Sequence, residues 1–263
     1  MHKPVFDPTM MPVEGLADEA PLARELLDPA AVRARFARTL PWNPETSDES
    51  LAAPALRLRR AAVLVPLVER PEGLTVLLTR RTDHLSSHAG QISFPGGRAE
   101  ELDSSPIETA LREAEEEIGL HRRHVEIIGV LPEHVTISAY RVTPVVALVQ
   151  PPFELSADPG EVAEIFEVPL AFLMSGANHE RRSVALPDGG GKRRFYAMPY
   201  QGHFIWGATA AMLRNLYHFL RACAARGSPG RRRGLEHRSE RLQCGRVIDG
   251  GVGFAGPCFV MEV

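Results

Sequence analysis

Cysteine is scarce in this chain. There are three in 263 residues, Cys223, Cys244 and Cys258, all in the C-terminal fifth. An odd number so widely spaced builds neither a disulfide framework nor a cysteine zinc site. It points to a reducing, cytoplasmic setting. No apolar run approaches the roughly 20 residues that a membrane helix needs, so no membrane partner is expected. The N-terminal MHKPVFDPTMMPVEG lacks the apolar stretch of a secretory signal. An excess of one charge sign is lacking too. The formal net charge of −3 gives no bulk argument for nucleic acid as a partner. No internal repeat is visible. DGGGK at 188–192 has the glycines of a phosphate loop but not the G-x-x-x-x-G-K-[ST] spacing. It reads instead as a hairpin turn between SVALP and RRFYAMPY.

What remains is an ordinary globular composition, 44% hydrophobic and 24% charged, long enough for one large domain with flanks. Residues 1–57 read as an N-terminal extension. It carries one helix at about 28–39, with Pro29 in the first turn, and a linker, LPWNPETSDESLAAPA. The texture changes at 58–222, which reads as the folded domain. AAVLVPLV and LTVLLTR are strands around a PEG turn. SSHAGQISFPGG is a loop with a short strand at its centre. VEIIGVL and VTPVVALV are two more buried strands, EIFEVPLAFLM a strand running into a short helix, and 208–224 a helix with a stripe of Met212, Leu216, Phe219 and Leu220. Residues 223–263 read as an Arg/Gly-rich, disordered tail, with eight arginines between 221 and 246. Strands mixed with helices too few for strict alternation give an α/β or α+β sandwich.

REAEEEIGL at 112–120 holds the chain's densest charge. Ser105 can cap a helix, Pro106 suits its first turn, Glu108 completes a capping box and Gly119 suits the left-handed end. These signals predict a helix over 106–118. Ile107, Ala110, Leu111, Ala114 and Ile118 share one arc and should dock on the sheet. Glu113, Glu116 and Glu117 share another, spaced i, i+3, i+4. Glu115 and Glu108 point elsewhere. Arg112 can pair with Glu108 or Glu116. A solvated face and a divalent-cation site both fit this spacing, since hard cations take carboxylate oxygens.

The preceding residues favour the cation. GGRAEELDSSPIETALREAEEEIGL resembles the Nudix box, in which a glycine pair leads through a loop to an R-E-x-x-E-E-x-G helix. Gly97, Arg112, Glu113, Glu116, Glu117 and Gly119 match. Asp103 stands where the pattern has glutamate, and one extra residue precedes Arg112. Both departures, with LLTRRTDHLSSHAGQISFPGG upstream, resemble the coenzyme A pyrophosphatase branch of that family. Leu77, Leu78, Thr79, Arg81, Gly90, Phe94, Pro95, Gly96 and Gly97 carry this second likeness. Ser86 stands where the branch has arginine and Thr82 where it has a small residue. Arg80 is the neighbouring cation that could compensate for Ser86.

The resemblance covers roughly 58–222 and implies a Nudix-type α/β/α sandwich with a mixed sheet. It implies metal-dependent hydrolysis in which water attacks one phosphorus of a diphosphate. Glu113, Glu116, Glu117 and the Gly96 carbonyl would hold Mg²⁺ or Mn²⁺, and Arg112 would orient the carboxylates. Glu133, Glu161 and Glu164 are candidate bases. Arg81, His88, Gln91 and Gly97 are candidate substrate contacts. The branch implies coenzyme A as substrate, split into 3′,5′-ADP and 4′-phosphopantetheine. ADP-ribose or another nucleoside diphosphate derivative is the alternative substrate, and a catalytically silent nucleotide-binding regulator the alternative role. Oligomeric state is left open.

Overall fold

The computed structural model describes residues 7–48, 58–84, 89–186 and 191–222. Ser86, His88, the tail and its cysteines lie outside the described residues, as do 187–190 of the hairpin turn.

The central strands are β2 (Arg59–Arg70) and β8 (Tyr140–Val149). They run parallel, in register from Arg59 opposite Tyr140 to Val68 opposite Val149. A parallel pair is covered on both faces, which is why AAVLVPLV and VTPVVALV are continuous apolar runs. Around them lie β3 (Gly73–Arg81), β4 (Ile92–Ser93), β5 (Gly96–Arg98), β6 (Val125–Val130), β7 (His134–Val135) and β9 (Val162–Pro169). The sheet has the order β4-β3-β2-β8-β6, with β5 on β2, β7 on β8 and β9 on β3. All its pairs except β2–β8 are antiparallel, so the sheet is mixed.

Side chains alternate across a strand, and this sorts the core into two layers. Ala62, Leu64, Val68, Leu77, Val145, Ala147 and Val149 face one way. They pack against Ala110, Ala114 and Ile118 of helix α2 (Pro106–Ile118), as the apolar arc predicts. Val65, Leu67, Val76, Leu78, Val146 and Leu148 face the other way. There they meet Val32 of α1 (Pro29–Phe36), Leu170 and Leu173 of α3 (Leu170–Leu173), and Leu213, Leu216 and Leu220 of α4 (Gly207–Arg221). Helices on both faces of a mixed sheet make the α/β/α sandwich that the resemblance implies.

A second sheet joins the α4 side. Its order is β1-β10-β11-β12, from β1 (Val13–Leu16), β10 (Glu180–Ala185), β11 (Lys192–Tyr200) and β12 (His203–Trp206). The expected hairpin joins β10 to β11, closed by the Leu186 N–H on the Gly191 carbonyl at 2.9 Å.

The N-terminal extension takes part in this architecture. Its strand β1 pairs with β10, and Leu27 and Val32 are core residues. Trp42, in the stretch read as a linker, packs edge-on to Phe219 with ring centroids 5.4 Å apart. Arg214 of α4, only 3% exposed, is held by Glu19 and by Glu45, the latter at 2.8 Å. Its Nη1 also lies 3.2 Å from His179 Nδ1. A guanidinium can only donate, so Nδ1 accepts and the imidazole proton sits on Nε2, 2.7 Å from the Leu173 carbonyl.

Burial, then the neighbouring Arg214 cation, push the His179 pKa down to about 4. A depressed folded-state value means that the unfolded chain binds the proton first as pH falls. The stability from neutral His179 is therefore full above about pH 6.5 and is lost as pH falls through 4. Its size is roughly 3 kcal/mol. In thermal melts, His179→Gln should lose less stability than the wild type between pH 7 and pH 4. Parallel curves for the two proteins would contradict this.

Candidate active site

Helix α2 begins and ends where its capping residues require. The Ser105 hydroxyl accepts from the Glu108 N–H at 3.3 Å, and Gly119 adopts φ 67°. The Gly119 N–H donates to the Glu115 carbonyl at 3.0 Å, and the Leu120 N–H to Ala114 at 3.3 Å. The Glu108 carboxylate takes Arg122 at 3.1 Å, so only the Ser105 half of the capping box forms. With its apolar arc on the sheet, α2 presents its other face to β5.

The carboxylates of this helix have unequal environments. Glu117 is buried, with its side chain 6% exposed. Its Oε2 accepts from the Gly96 N–H at 3.0 Å, and its Oε1 lies 3.8 Å from Arg81 Nη1. Burial pushes its pKa up to about 7, and the Glu113 and Glu161 charges add to that rise. Burial raises Glu113 as well, with the Glu116 and Glu161 charges adding. Glu116 sits at the rim, 60% exposed. Glu115 faces away, 4.0 Å from Arg122 and 3.9 Å from His121.

Arg112 ties the group together. Its Nε and Nη2 donate to Asp103 at 3.1 and 3.0 Å, its Nη1 to Glu116 at 2.8 Å, and its Nη2 to the Arg98 carbonyl at 3.1 Å. Glu113 lies 3.0 Å from Nη2. The Arg112 guanidinium holds the Asp103 carboxyl well below the usual carboxylate range. Asp103 thus anchors Arg112, a role the sequence shows only as a carboxylate six positions after Gly97.

Burial raises Glu113 and Glu117, and Glu116 lies beside them, so carboxylate oxygens of the kind a hard divalent cation takes are gathered at one corner. The described residues hold no three His, Cys, Asp or Glu side chains already converged on one point. Glu116 is drawn to Arg112 and Glu117 to the Gly96 N–H. The glycines fit tightly around this corner. A Cβ on Gly97 would lie 2.6 Å from the Glu113 carboxylate. One on Gly96, at φ 152°, would lie 2.4 Å from the Ala62 carbonyl oxygen.

The other candidates separate by strand parity. Arg81 and Arg80 are neighbours on β3 and so point to opposite faces. Arg81 reaches Glu117, whereas Arg80 pairs with Glu164 at 3.3 Å and Asp83 at 3.8 Å. Arg80 thus points away from the face on which Arg81 meets Glu117. Glu164 lies with it, 3.1 Å from His203 Nε2, away from the carboxylates of α2. Glu133 pairs with Arg141 at 3.6 Å. Of the three candidate bases, Glu161 adds its charge to the upward shift of Glu113 and Glu117. Its carbonyl accepts from the Thr82 N–H at 3.0 Å, directly after Arg81. The Gln91 carbonyl accepts from the Arg81 N–H at 2.9 Å. A cavity of about 560 Å³ elsewhere is bordered by Glu14, Glu45, Arg194, Tyr196 and Arg214 but by none of these carboxylates. Glu45 and Arg214 there already pair with each other, and Glu14 with Lys192.

The NUDIX domain model matches residues 58–187. An uncharacterized Nudix hydrolase, NudL, of Escherichia coli O7:K1 (strain IAI39 / ExPEC) is 45% identical over 163 residues, 61% of this chain and 82% of that protein. Its namesake in Yersinia enterocolitica serotype O:8 / biotype 1B (strain NCTC 13174 / 8081) is 46% identical over 156 residues, 59% of this chain and 78% of that one. Among solved structures, RenU, a Nudix hydrolase from M. Smegmatis, is 26% identical. The match covers 43% of this chain and 71% of that one, with a TM-score of 0.37. The chain belongs to the Nudix hydrolase family, and as such it is an enzyme that cleaves a diphosphate linkage. No helix among the described residues is long and apolar enough to cross a membrane.

Proposed function

We propose that this enzyme hydrolyses the diphosphate bond of coenzyme A or a close derivative, releasing 3′,5′-ADP and 4′-phosphopantetheine. The observation that carries the reading is the position of Arg81. The LLTRR…FPGG string resembles the coenzyme A branch, and its arginine lies 3.8 Å from the buried Glu117 of the box. Arg81 Nε is buried without a partner among the described residues. A phosphate oxygen of the substrate would suit it.

In this reading Glu113, Glu116 and Glu117, with the Gly96 carbonyl, hold Mg²⁺ or Mn²⁺. The bound ion supplies positive charge where negative charge grows on the phosphoryl oxygens. Arg112, itself held by Asp103, fixes the Glu113 and Glu116 carboxylates. Glu161 takes the proton of the attacking water, a role supported by its electrostatic reach to Glu113 and Glu117. Arg81, Gln91 and Gly97 contact the substrate, and His88 is carried over from the sequence alone.

One assay panel tests this, with coenzyme A, ADP-ribose and NADH in Mg²⁺ or Mn²⁺. Coenzyme A should give the highest kcat/KM. Equal or better turnover of ADP-ribose would overturn the substrate assignment, and silence on all three would favour a nucleotide-binding regulator.

A further inference from the structure

The loop that carries Glu161 is tied to the end of the box helix. The Ser156 N–H donates to the Ile118 carbonyl and the Asp158 N–H to the Glu117 carbonyl, both at 2.9 Å. Glu117 thus offers its carboxylate to the corner and its carbonyl to this loop. From there the chain turns sharply. The Asp158 carboxylate accepts from the Gly160 N–H at 2.8 Å, and its carbonyl accepts from the Glu161 and Val162 N–H groups at 3.1 and 2.8 Å. The far side is pinned by Thr82, which is buried. Its hydroxyl donates to the Gly160 carbonyl at 3.3 Å, and its N–H to the Glu161 carbonyl at 3.0 Å. Thr82 is the residue that stands where the family branch has a small side chain, and its hydroxyl has this local use.

We propose that Asp158 is a positioning residue, which with Thr82 fixes the Glu161 loop against the last turn of α2 and so sets the distance from Glu161 to the box carboxylates. The proposal rests on the reading of Glu161 as the base. Without the Asp158 side chain the 158–160 turn loses its inner hydrogen bond, and the backbone that places Glu161 can open. Two fixed points remain on the α2 side, at Ser156 and at the Asp158 N–H, so the fold survives while the reach of Glu161 changes. The expected damage is therefore to turnover rather than to substrate binding.

Full-length Asp158→Ala, Asp158→Asn, Thr82→Val, Glu161→Gln and the double variant Asp158→Ala with Glu161→Gln are compared by kcat and KM. Coenzyme A and ADP-ribose serve as probes in Mg²⁺, with thermal melts alongside. Asp158→Ala should lower kcat roughly 10- to 100-fold, the size of effect a misplaced group has, with KM within about two-fold. Asp158→Asn keeps an oxygen for the Gly160 N–H and should restore most of the rate. The double variant should be no slower than Glu161→Gln alone, because the side chain being positioned is already disabled. Near-wild-type kcat in Asp158→Ala beside a crippled Glu161→Gln would overturn the positioning role. So would a double variant whose loss is the product of the two single losses. An unimpaired Glu161→Gln would instead remove the base assignment itself, and the proposal with it. Should Asp158→Ala melt too low to assay, Thr82→Val, made alone and together with Glu161→Gln, decides by the same comparison: a kcat loss absent from the Glu161→Gln background supports the proposal, and no loss overturns it.

Discussion

Glu117→Gln is expected to lower kcat by about 10²–10³-fold, the usual loss when one charge-stabilising group is removed from an active site, while Glu115→Gln stays within about two-fold of wild type. Both changes remove one charge from the same helix, and they differ only in direction. Glu117 is buried against the Gly96 N–H and Arg81. Glu115 is 43% exposed and faces Arg122. A solvated charge run would make the two substitutions equivalent. Glu113→Gln should behave like Glu117→Gln, since Glu113 shares the interior of the corner. Glu116 at the rim should also be essential, because Arg112 grips it together with Glu113. In metal-free protein the effect on stability should have the opposite sign. Glu117→Gln removes a buried carboxylate whose burial opposes its ionisation, so the inactive variant should melt higher than wild type. Initial rates in Mg²⁺ and melts in a chelator give both results. Equal kcat losses in Glu115→Gln and Glu117→Gln would contradict the partition.

Alanine in place of each glycine of the pair should fail in a different way. At Gly96 the added Cβ would meet main chain, the Ala62 carbonyl oxygen at 2.4 Å and Val63 Cα at 2.5 Å, and φ is 152°. Strand β2 cannot yield there without breaking its pairing with β5 and β8. Gly96→Ala should cost roughly 3 kcal/mol or more, a fall in Tm of about 6–12 °C for a domain of this size. At Gly97 the added Cβ meets only the tip of the Glu113 side chain, at 2.6 Å. A flexible carboxylate can swing aside. Gly97→Ala should therefore keep most of its stability and lose kcat, because the carboxylate that moves is one the site needs. A Gly97→Ala protein with wild-type kcat would mean that Glu113 is not required where it stands.

Several features were legible because they depend on neighbours in sequence. Ser105, Pro106 and Gly119 set the ends of α2, and the structure places it at Pro106–Ile118. The continuous apolar runs of β2 and β8 marked both as strands, and the structure pairs them in parallel. Other features depend on contacts between distant residues. VEGL has no alternation to announce β1, which exists because β10 offers it an edge. Glu19 and Glu45 look like surface acids until α4 brings Arg214 between them. Arg80 and Arg81 are equivalent as residue types, and only the parity of β3 separates them. Leu77 on the α2 face and Leu78 on the other carried that parity in the sequence. The candidate bases needed the fold most. Glu133, Glu161 and Glu164 are alike in sequence, and the pairing of β9 with β3 separates Glu161 from Glu164.

The most direct test of the carboxylate site is Mn²⁺ titration of the metal-free full-length enzyme, followed by calorimetry or paramagnetic resonance. Wild type and Glu115→Gln should bind Mn²⁺ alike, whereas Glu113→Gln, Glu116→Gln and Glu117→Gln should each bind it at least about tenfold more weakly, a loss of about 1.4 kcal/mol. Unchanged Mn²⁺ affinity in all three would contradict the account, and REAEEEIGL would then be a charged helix face with no ion to hold.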